Sequence, residues 1–409
     1  MKSGIAQKFL RWAVLPLTVL FMLFLVIMYT YVPGKVMRDM NRTLDPGPYT
    51  LSEAGAALHK ELTVVDMHCD ALLWSRDLAV RGSSGHVDLP RMREGNAALE
   101  FFTVVTRTPS GQNINANEDK NDMLIPLSFF QAWPASTWFS AHGRAIHQAR
   151  RLHKLAETSG GKFMLIETRE DVDRFLEARK QDPEVVAGML GIEGLQCLEN
   201  DFVNLNVLYN NGFRMMGFTH FFDNEVGGSA HGMEKGGITE FGKQVLQGME
   251  ERHIIVDLAH ASPKLIDDIL NLATRPVFVS HTGVRGVADN ERNLSDEHLK
   301  RIAAGGGVIG IGFWETAVGE ASVQGIVRAI KYTAGLVGAD HVGLGSDYDG
   351  AVTAPFDISG VGQITDGLLA AGYGKDDIAK IMGGNVLRVL REQLPADVEA
   401  PARARQPGA

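Results

Sequence analysis

Short apolar segments alternate with amphipathic segments from about residue 56 to residue 392. The apolar segments are often rich in valine and isoleucine, which is typical of strands that are buried on both faces. Some amphipathic segments begin with helix-start signals, such as Ser262 followed by Pro263, and Ser295. Eight strands are predicted, at residues 62–67, 99–105, 185–192, 214–219, 254–259, 277–280, 308–313 and 342–346.

Eight buried strands that alternate with helices predict parallel strands joined by helical crossovers. A closed α/β barrel of the (β/α)8, TIM-like type has this pattern, and a doubly wound open sheet has the same local signals. The stretch GGVIGIGF at residues 306–313 does not precede a helix of the nucleotide-binding kind, which favours the barrel. We assign the barrel to residues 56–392, with residues 107–141 as an insertion after the second strand.

The N-terminal part of the chain is predicted to lie outside this barrel. Residues 13–31 carry no charge and are long enough to span a bilayer as a helix. We therefore predict a transmembrane anchor at residues 13–32, after a short basic segment at residues 1–12 and before a juxtamembrane linker at residues 33–55. A cleavable signal peptide is the alternative, but the apolar run is long for one and no small-x-small cleavage site follows it. Residues 393–409 are predicted to be a disordered tail.

Membrane orientation is set by positive charges on either side of a span. Lys2, Lys8 and Arg11 precede the predicted anchor, whereas Lys35, Arg38 and Arg42 follow it. This distribution gives only a small asymmetry. We expect the barrel on the extracytoplasmic, periplasmic side of the membrane.

Composition excludes several classes of partner and cofactor. The chain has 40 Lys and Arg residues against 49 Asp and Glu residues, and no basic stripe interleaved with aromatic residues, so nucleic acid is not expected as a partner. Its two cysteines, Cys69 and Cys197, cannot form a disulfide framework or a four-thiolate zinc site. They are expected to be buried thiols, and any metal must be held by histidines and carboxylates.

Polar residues close the predicted strands with unusual regularity. In a (β/α)8 barrel, residues at the carboxyl ends of different strands converge on one face, where active sites are built. A single histidine or acidic residue there is ordinarily a turn or capping residue. Seven at corresponding positions favour a shared site: His68, Asp70, Glu193, His220, His260, His281 and Asp347.

Imidazoles and carboxylates without thiolate form a ligand set that suits Zn(II), with Mn, Co or Fe(II) as alternatives. A His-x-Asp pair, two further histidines and a glutamate able to bridge are enough ligands for two metal ions roughly 3.5–4 Å apart. Such a pair generates hydroxide at neutral pH and polarises an oxygen of the substrate. The pattern therefore predicts a hydrolase.

The sequence resembles the membrane dipeptidase family, the renal dipeptidase type of zinc peptidase in the amidohydrolase superfamily. The resemblance covers about residues 60–392 and includes several motifs in the order found in the family. They are DMHCDAL, GIEG, LYNNGFRMMGFTH, IIVDLAHAS, PVFVSHTGVRGVADNERNLSDE, VGLGSDYDG and IMGGNVLRVL. It implies a barrel of the metal-dependent hydrolase type and a binuclear zinc enzyme. Such an enzyme cleaves dipeptides, tolerates a C-terminal D-residue and in some members opens β-lactams.

The resemblance also implies which residues bind each metal ion. His68 and Asp70 match the ligands of one zinc ion, and His260 and His281 match those of the second. Glu193 matches the carboxylate that bridges the two ions. A hydroxide bridging the metals is then expected to attack the peptide carbonyl.

Three further residues match positions that act on the substrate. His220 matches a histidine near the scissile carbonyl, Arg292 matches the arginine that receives the free carboxylate, and Asp347 matches the acid that transfers the proton. The mammalian enzymes have a tyrosine where this chain has Trp314, so one hydrogen bond to the substrate carboxylate is expected to be missing. Family members are often dimeric, which makes a homodimer a possible assembly.

Two other functions are compatible with parts of this pattern. An amidohydrolase acting on an N-acyl amino acid, a lactam or a lactone would use the same barrel and metals. A membrane-anchored, non-catalytic binding protein would not need an intact ligand set. The intact set therefore favours an enzyme, and the motif series favours the dipeptidase.

Overall fold

The computed structural model describes residue 12 and residues 14–398 of the chain. The predicted basic segment as far as Arg11 and the predicted tail beyond residue 398 lie outside these residues. The strands, numbered in chain order, are β1 (Arg42–Thr43), β2 (Val64–Cys69), β3 (Ala97–Val105), β4 (Phe163–Leu165), β5 (Val186–Glu193), β6 (Phe213–Gly217), β7 (Ile255–Asp257), β8 (Phe278–Thr282), β9 (Val308–Ile311), β10 (Val342–Leu344) and β11 (Thr353–Ala354).

Eight parallel strands close into a barrel within the described part of the chain. The sheet runs in the order β3-β2-β10-β9-β8-β7-β6-β5-β4, and β3 also pairs with β5. That pairing extends from Leu99 opposite Ala187 to Val105 opposite Glu193, so it joins the two sides of the sheet. The predicted (β/α)8 barrel is therefore confirmed, and the open sheet is excluded because β3 and β5 are not edge strands.

The eight predicted strands coincide with the barrel strands, with ends that differ by at most two residues. The structure contains one further strand in the sheet, β4. It pairs with the first half of β5, along the same edge of β5 that pairs with β6 in its second half. Three residues are too few to show a period, so the sequence pattern did not reveal β4. The short strands β1 and β11 pair with each other outside the barrel.

Helices surround the barrel and connect its strands. Ser262 and Ser295 begin two of them as predicted, because their hydroxyls accept the N–H of Leu265 at 3.0 Å and of His298 at 3.3 Å. The described α-helices are Leu15–Val26, Val32–Met40, Glu53–Glu61, Leu89–Glu94, Leu124–Phe130, Ala141–Thr158, Arg169–Gln181, Val203–Asn210, Glu240–Glu251, Pro263–Leu272, Asp296–Ala304, Glu315–Val318, Val323–Val337, Gly362–Ala370, Lys375–Ala379 and Asn385–Gln393.

Large apolar side chains fill the barrel beneath its carboxyl end. Phe101 on β3 and Phe278 on β8 are fully buried, with ring centroids 6.2 Å apart, and they pack with Met67 and Met189. β3 and β8 are opposite each other in the ring of eight strands, so this contact crosses the interior. Burial of each ring contributes about 1.5–3 kcal/mol. The filled interior is a rigid base for the polar residues above it.

The N-terminal helix has an exposed half and a packed half. Residues Leu15–Met40 are long and apolar enough to cross a membrane, and none of the most apolar window is buried against the protein. A short π-helical turn, Ile27–Tyr31, separates Leu15–Val26 from Val32–Met40. The second half includes the first residues of the predicted linker. Its Met37 is buried beside Leu73 and Trp133.

The part of the predicted tail that the structure describes is docked on the barrel. Leu394 is fully buried, and the Asp397 carboxylate accepts hydrogen bonds from Thr168 at 2.6 Å and Arg174 at 2.7 Å. Residues 394–398 therefore differ from the predicted disorder. The cause is tertiary, since the partners of Asp397 are distant in the sequence.

Candidate active site

All seven polar residues that close the predicted strands lie together at the carboxyl end of the barrel. His68, Glu193 and His281 lie within β2, β5 and β8, and Asp70 directly follows β2. His220, His260 and Asp347 each follow a strand by three residues. The structure therefore brings together residues that are up to 279 positions apart in the sequence.

Glu193 is at the centre of this cluster, with four imidazoles around its carboxylate. Its Oε1 lies 2.9 Å from Nε2 of His260, 3.3 Å from Nε2 of His281 and 3.6 Å from Nε2 of His68. Its Oε2 lies 3.3 Å from Nε2 of His220. Two donors bound to one tetrahedral metal are about 3.3–3.6 Å apart. Glu193 is thus placed where one carboxylate can bridge two ions.

Two further carboxylates approach His68 from the other side. Asp70 Oδ1 is 3.8 Å and Asp347 Oδ1 is 4.0 Å from Nε2 of His68. Burial, followed by the charge of Asp70, raises the pKa of Glu193 well above its usual range. Burial also raises the pKa of Asp347 to about 8. A bound cation stabilises the ionised form of carboxylates whose pKa is raised in this way.

The donor atoms suit divalent metal ions that prefer nitrogen and oxygen ligands. Nε2 of His68 is buried and has no hydrogen-bond partner among the described residues. Three sets of donors have ligand atoms within 4.8 Å of one another: His68, Glu193 and His281; Glu193, His220 and His260; and His68, Asp70 and Asp347. His220, which the resemblance assigns to the substrate, is close enough to be a donor here. Nε2 of His260 also faces Nε2 of His281 at 3.0 Å.

Ser280 orients two of these histidines. Its hydroxyl donates to Asp257 Oδ2 at 2.6 Å, and Nδ1 of His68 and Nδ1 of His281 each lie 3.0 Å from the same oxygen. Because the only hydroxyl proton goes to the carboxylate, the oxygen accepts from both imidazoles. In the neutral form of each imidazole, Nε2 is then unprotonated and able to bind a metal ion. Asp257 and Ser280 thus fix both tautomers.

This arrangement predicts that Ser280→Ala weakens metal binding without unfolding the barrel. Loss of an outer partner of metal-bound histidines typically lowers metal affinity by about 10–100-fold. Chelator competition measures the affinity, and thermal denaturation checks the fold. The matched control is Ser359→Ala, which removes a hydroxyl that donates to Asp357, away from the cluster. Equal metal affinities of the Ser280→Ala and Ser359→Ala variants would contradict the assignment.

Backbone strain occurs at two members of the cluster. His260 and Asp347 have φ angles of 61° and 63°, in the left-handed region that residues other than glycine seldom adopt. Each such conformation costs about 1–3 kcal/mol and persists where the surrounding structure holds it. The carbonyl of His260 accepts the N–H of Ala230 at 2.8 Å, which is one of the contacts that hold it. Strain at both positions is typical of a functional site.

Arg292 lies in the wall of the same cavity. Its side chain is buried, and Nη2 donates to the carbonyl of His281 at 2.8 Å. The guanidinium carbon lies 5.7 Å from the ring centroid of Trp314, within the range of a cation–π contact. Burial lowers the pKa of Arg292, but an arginine remains charged. A cation beside the cluster provides a place for an anionic group of a ligand.

The cluster opens into a cavity of about 710 Å³. Glu193, His220, His260, Arg292 and Asp347 line its inner end. The outer walls come from the insertion and from the N-terminal helix, and most of their side chains are apolar. The active-site pocket is therefore polar at its base and mostly apolar above it, where the insertion also contributes Thr108, Gln112 and Asn113.

His231 is a cavity residue that the strand-end rule did not find, because it lies in the long segment after β6. Its Nδ1 lies 2.6 Å from the carbonyl of Ile114 in the insertion. A carbonyl only accepts, so Nδ1 carries the proton and Nε2 is an acceptor. Burial lowers the pKa of His231 to about 4, so the ring is neutral. Its Nε2 is buried, without a partner among the described residues.

The other acidic residues near the motifs have structural partners. Asp66 accepts the backbone N–H of Ser346 at 2.8 Å and so connects β2 with the end of β10. Asp349 accepts the backbone N–H of His86 at 2.8 Å and also contacts Arg76. Cys69 and Cys197 are both buried and unpaired, as predicted.

The membrane dipeptidase family, peptidase family M19, has a sequence model that matches residues 53–402. This is most of the chain. The chain belongs to the membrane dipeptidase family. The predicted family, the barrel fold and the assignment to the peptidases are therefore confirmed, and the chain is a hydrolase of a metallopeptidase family.

Curated and solved relatives match a similar extent of the chain. Dipeptidase tcpJ of Claviceps purpurea is 29% identical over 327 residues, which is 78% of this chain and 70% of the relative. The crystal structure of dipeptidase AC, a metallopeptidase, superposes with a TM-score of 0.67 at 25% identity and covers 82% of this chain and 99% of its own. A metallopeptidase from Rhodobacter sphaeroides was solved with a phosphinate mimic of L-Ala-D-Ala. It superposes with a TM-score of 0.66 at 25% identity and covers 81% of this chain and 99% of its own.

Proposed function

We propose that this M19 peptidase is a membrane-anchored binuclear zinc dipeptidase. The observation that carries the proposal is the position of Glu193, whose two carboxylate oxygens face four imidazoles at 2.9–3.6 Å, beside the cation of Arg292. In this proposal His68 and Asp70 hold one metal ion, His260 and His281 hold the other, and Glu193 holds both. Mn, Co or Fe(II) is compatible with the same donors.

Bound metal ions would lower the pKa of a water molecule and polarise the carbonyl oxygen of the scissile amide. Arg292 would pair with the free carboxylate of the dipeptide, for which a guanidinium fork is well suited. His220 would contact the substrate near the scissile carbonyl. Asp347 would accept a proton from the attacking water and pass it to the leaving amine. Its 14% exposed side chain is consistent with contact with the cavity.

His231 would contact the amino-terminal side of a dipeptide. Its neutral imidazole offers an unpaired Nε2 in the cavity wall. A substrate N–H or ammonium group that donates to this nitrogen would satisfy a buried acceptor, which is otherwise costly to leave unpaired. Two fixed ends, at Arg292 and His231, would limit the length of the peptide.

A dipeptide with a C-terminal D-residue is a proposed substrate. The Rhodobacter sphaeroides relative was solved with a mimic of L-Ala-D-Ala, and this supports testing that configuration first. The exposed apolar helix Leu15–Val26 supports a single-pass anchor. We propose that the barrel lies on the periplasmic side. Homodimer formation is compatible with the family and is tested by light scattering.

The apolar outer walls of the cavity favour one second candidate, an amidohydrolase that acts on N-acyl amino acids. Such a substrate also has a free carboxylate for Arg292. It differs from a dipeptide because it has no amine to donate to His231. Lactams and lactones without a carboxylate fit the site less well, because Arg292 would remain unpaired.

Release of free alanine from L-Ala-D-Ala and L-Ala-L-Ala tests the proposal. We expect the full chain in detergent to cleave at least one of them, to stop after chelation and to recover when zinc is added. The ratio of the two rates gives the stereochemical preference, and metal analysis gives the number of bound ions. A folded protein with two bound metal ions that cleaves neither peptide but cleaves an N-acyl amino acid would overturn the dipeptidase proposal.

A further inference from the structure

The later part of the insertion is an uncharged segment that is rich in aromatic residues. Residues 123–139, MLIPLSFFQAWPASTWF, contain five aromatic residues and no Asp, Glu, Lys, Arg or His. We call them the aromatic segment. Among the described residues beyond Met40, the only exposed aromatic side chains are Phe129 and Phe139, which are 40% and 83% exposed. Exposed apolar surface that is concentrated on one element generally marks a contact with a membrane or with another protein.

The buried side chain of Arg144 holds the end of the aromatic segment in place. Its Nε donates to the carbonyl of Thr137 at 2.8 Å, and its Nη2 donates to the carbonyl of Trp138 at 2.7 Å. Its Nη1 pairs with the carboxylate of Asp122, the residue before the segment. These bonds fix the backbone directly before Phe139, so the exposure of that ring is a feature of the fold.

The aromatic segment packs along the N-terminal helix. Leu124, at the start of the segment, is buried in one cluster with Met37 of the helix. Phe129 and Phe130 contact Tyr29, with ring centroids 5.7 and 6.2 Å from that of the tyrosine. Tyr29 lies eight residues before Met37, or about 12 Å along a helix. The segment therefore runs from the barrel towards the exposed apolar half of the N-terminal helix.

The contact with Tyr29 gives the position of these rings relative to a membrane. Tyr29 lies near the end of the uncharged run of residues 13–31. A helix of that length spans about 28 Å, close to the thickness of about 30 Å of the hydrocarbon core. Phe129 and Phe130 are therefore level with the interfacial layer, and the ring centroid of Trp138 lies 5.3 Å from that of Phe129. The exposed surface of the segment is thus continuous with the surface of the proposed anchor.

We propose that residues 129–139 lie in the interfacial layer of the bilayer that the N-terminal helix crosses, where lipid covers Phe129 and Phe139. This inference rests on the anchor in the proposed function, and it is independent of the reaction that the barrel catalyses. Lipid is favoured over a second copy of the chain because the rings adjoin Tyr29 at the membrane end of the helix, and aromatic side chains are enriched at membrane–water interfaces. The insertion follows β3, so this second attachment turns the carboxyl end of the barrel towards the membrane.

Spin labels on the full chain test the inference. The chain is reconstituted in nanodiscs of phosphatidylcholine and phosphatidylglycerol after labelling of Phe139→Cys or Phe129→Cys. Cys69 and Cys197 are buried, and the wild-type protein shows whether either takes up label. Electron paramagnetic resonance then measures collisions of each label with oxygen and with a water-soluble nickel complex. Two positions keep the test valid if one variant fails to fold.

The expected result is a high ratio of oxygen to nickel collisions at both positions. We expect it to exceed the ratio at Leu272→Cys by at least about fivefold, because an apolar gas concentrates in the bilayer and a polar complex is excluded from it. Leu272 is the matched control, since it is 46% exposed at the end of the helix that leads from β7 to β8. It therefore lies at the opposite end of the barrel. A label at Leu20→Cys reports separately whether the exposed half of the N-terminal helix is in lipid.

The possible outcomes are distinguishable. High ratios at Phe139 and Phe129 support the inference. Ratios there as low as at Leu272, with a high ratio at Leu20, overturn this inference and leave the anchor intact. A low ratio at Leu20 overturns the anchor and the inference together, whereas turnover of dipeptides by the unlabelled protein tests the reaction independently. Protection of Phe139 from both oxygen and nickel would show that protein covers the ring, as in a dimer, and would also overturn the inference.

Discussion

Replacement of Glu193 by glutamine is expected to reduce dipeptide turnover by at least about 1000-fold, because loss of even an outer partner of a metal ligand costs about 10–100-fold. Glu193 is the group that all four imidazoles approach. Glutamine has nearly the same size but no negative charge, and its amide nitrogen cannot bind a cation. The variant should keep the barrel fold and lose at least one of the two proposed metal ions. Steady-state kinetics and metal analysis of the same sample measure both effects.

A matched replacement at another position shows whether the loss of activity is specific to Glu193. Glu251→Gln makes the same chemical change at an exposed helix position outside the cavity, and it should retain full activity and metal content. Near-normal turnover by the Glu193→Gln variant with two bound metal ions would exclude Glu193 as the bridge.

Replacement of Arg292 by leucine is expected to lower kcat/KM for dipeptides by about 30- to 5000-fold, the equivalent of about 2–5 kcal/mol for loss of one partner of a buried charge pair. The reason is loss of the cation proposed to bind the substrate carboxylate. Dipeptide amides, which lack this carboxylate, provide the second measurement. The wild-type protein should prefer the acid strongly, and the leucine variant should have lost most of that preference.

The acid-to-amide comparison distinguishes recognition from a structural effect. Arg292 also donates to the carbonyl of His281, so a leucine variant could act by moving a proposed metal ligand. In that case both substrates would lose activity equally and metal content would fall. Arg292→Lys retains the charge without the bidentate geometry, and an intermediate preference for the acid is expected.

The position of the site could be inferred from the sequence because barrel geometry converts strand ends into neighbours. His68, Glu193 and His281 each close a predicted strand. Once parallel strands close into a ring, such residues necessarily meet at one end. Periodicity and chain order are therefore sufficient to predict that they converge, although they do not give the distances between them.

His231 and Ser280 illustrate what this reasoning could not provide. His231 follows no strand, and its protonation is fixed by the carbonyl of Ile114, more than 100 residues away. The Ser280 hydroxyl orients His68 and His281 by virtue of its distance from both Nδ1 atoms. Contacts of this kind depend on loop conformation and on angstrom-scale spacing, which have no periodic signature.

The sequence by itself determined the barrel, the family and the chemical nature of the residues at the strand ends, because hydrophobic periodicity and motif order are local properties of the chain. The tertiary structure alone decided what lies above the site. Residues 33–40 and the insertion were a linker and an interruption in the sequence, yet in the structure Val36 and Leu127 pack against one apolar cluster that forms part of the cavity wall. Burial of apolar surface between distant segments is a non-local interaction, so it emerges only when the chain is folded.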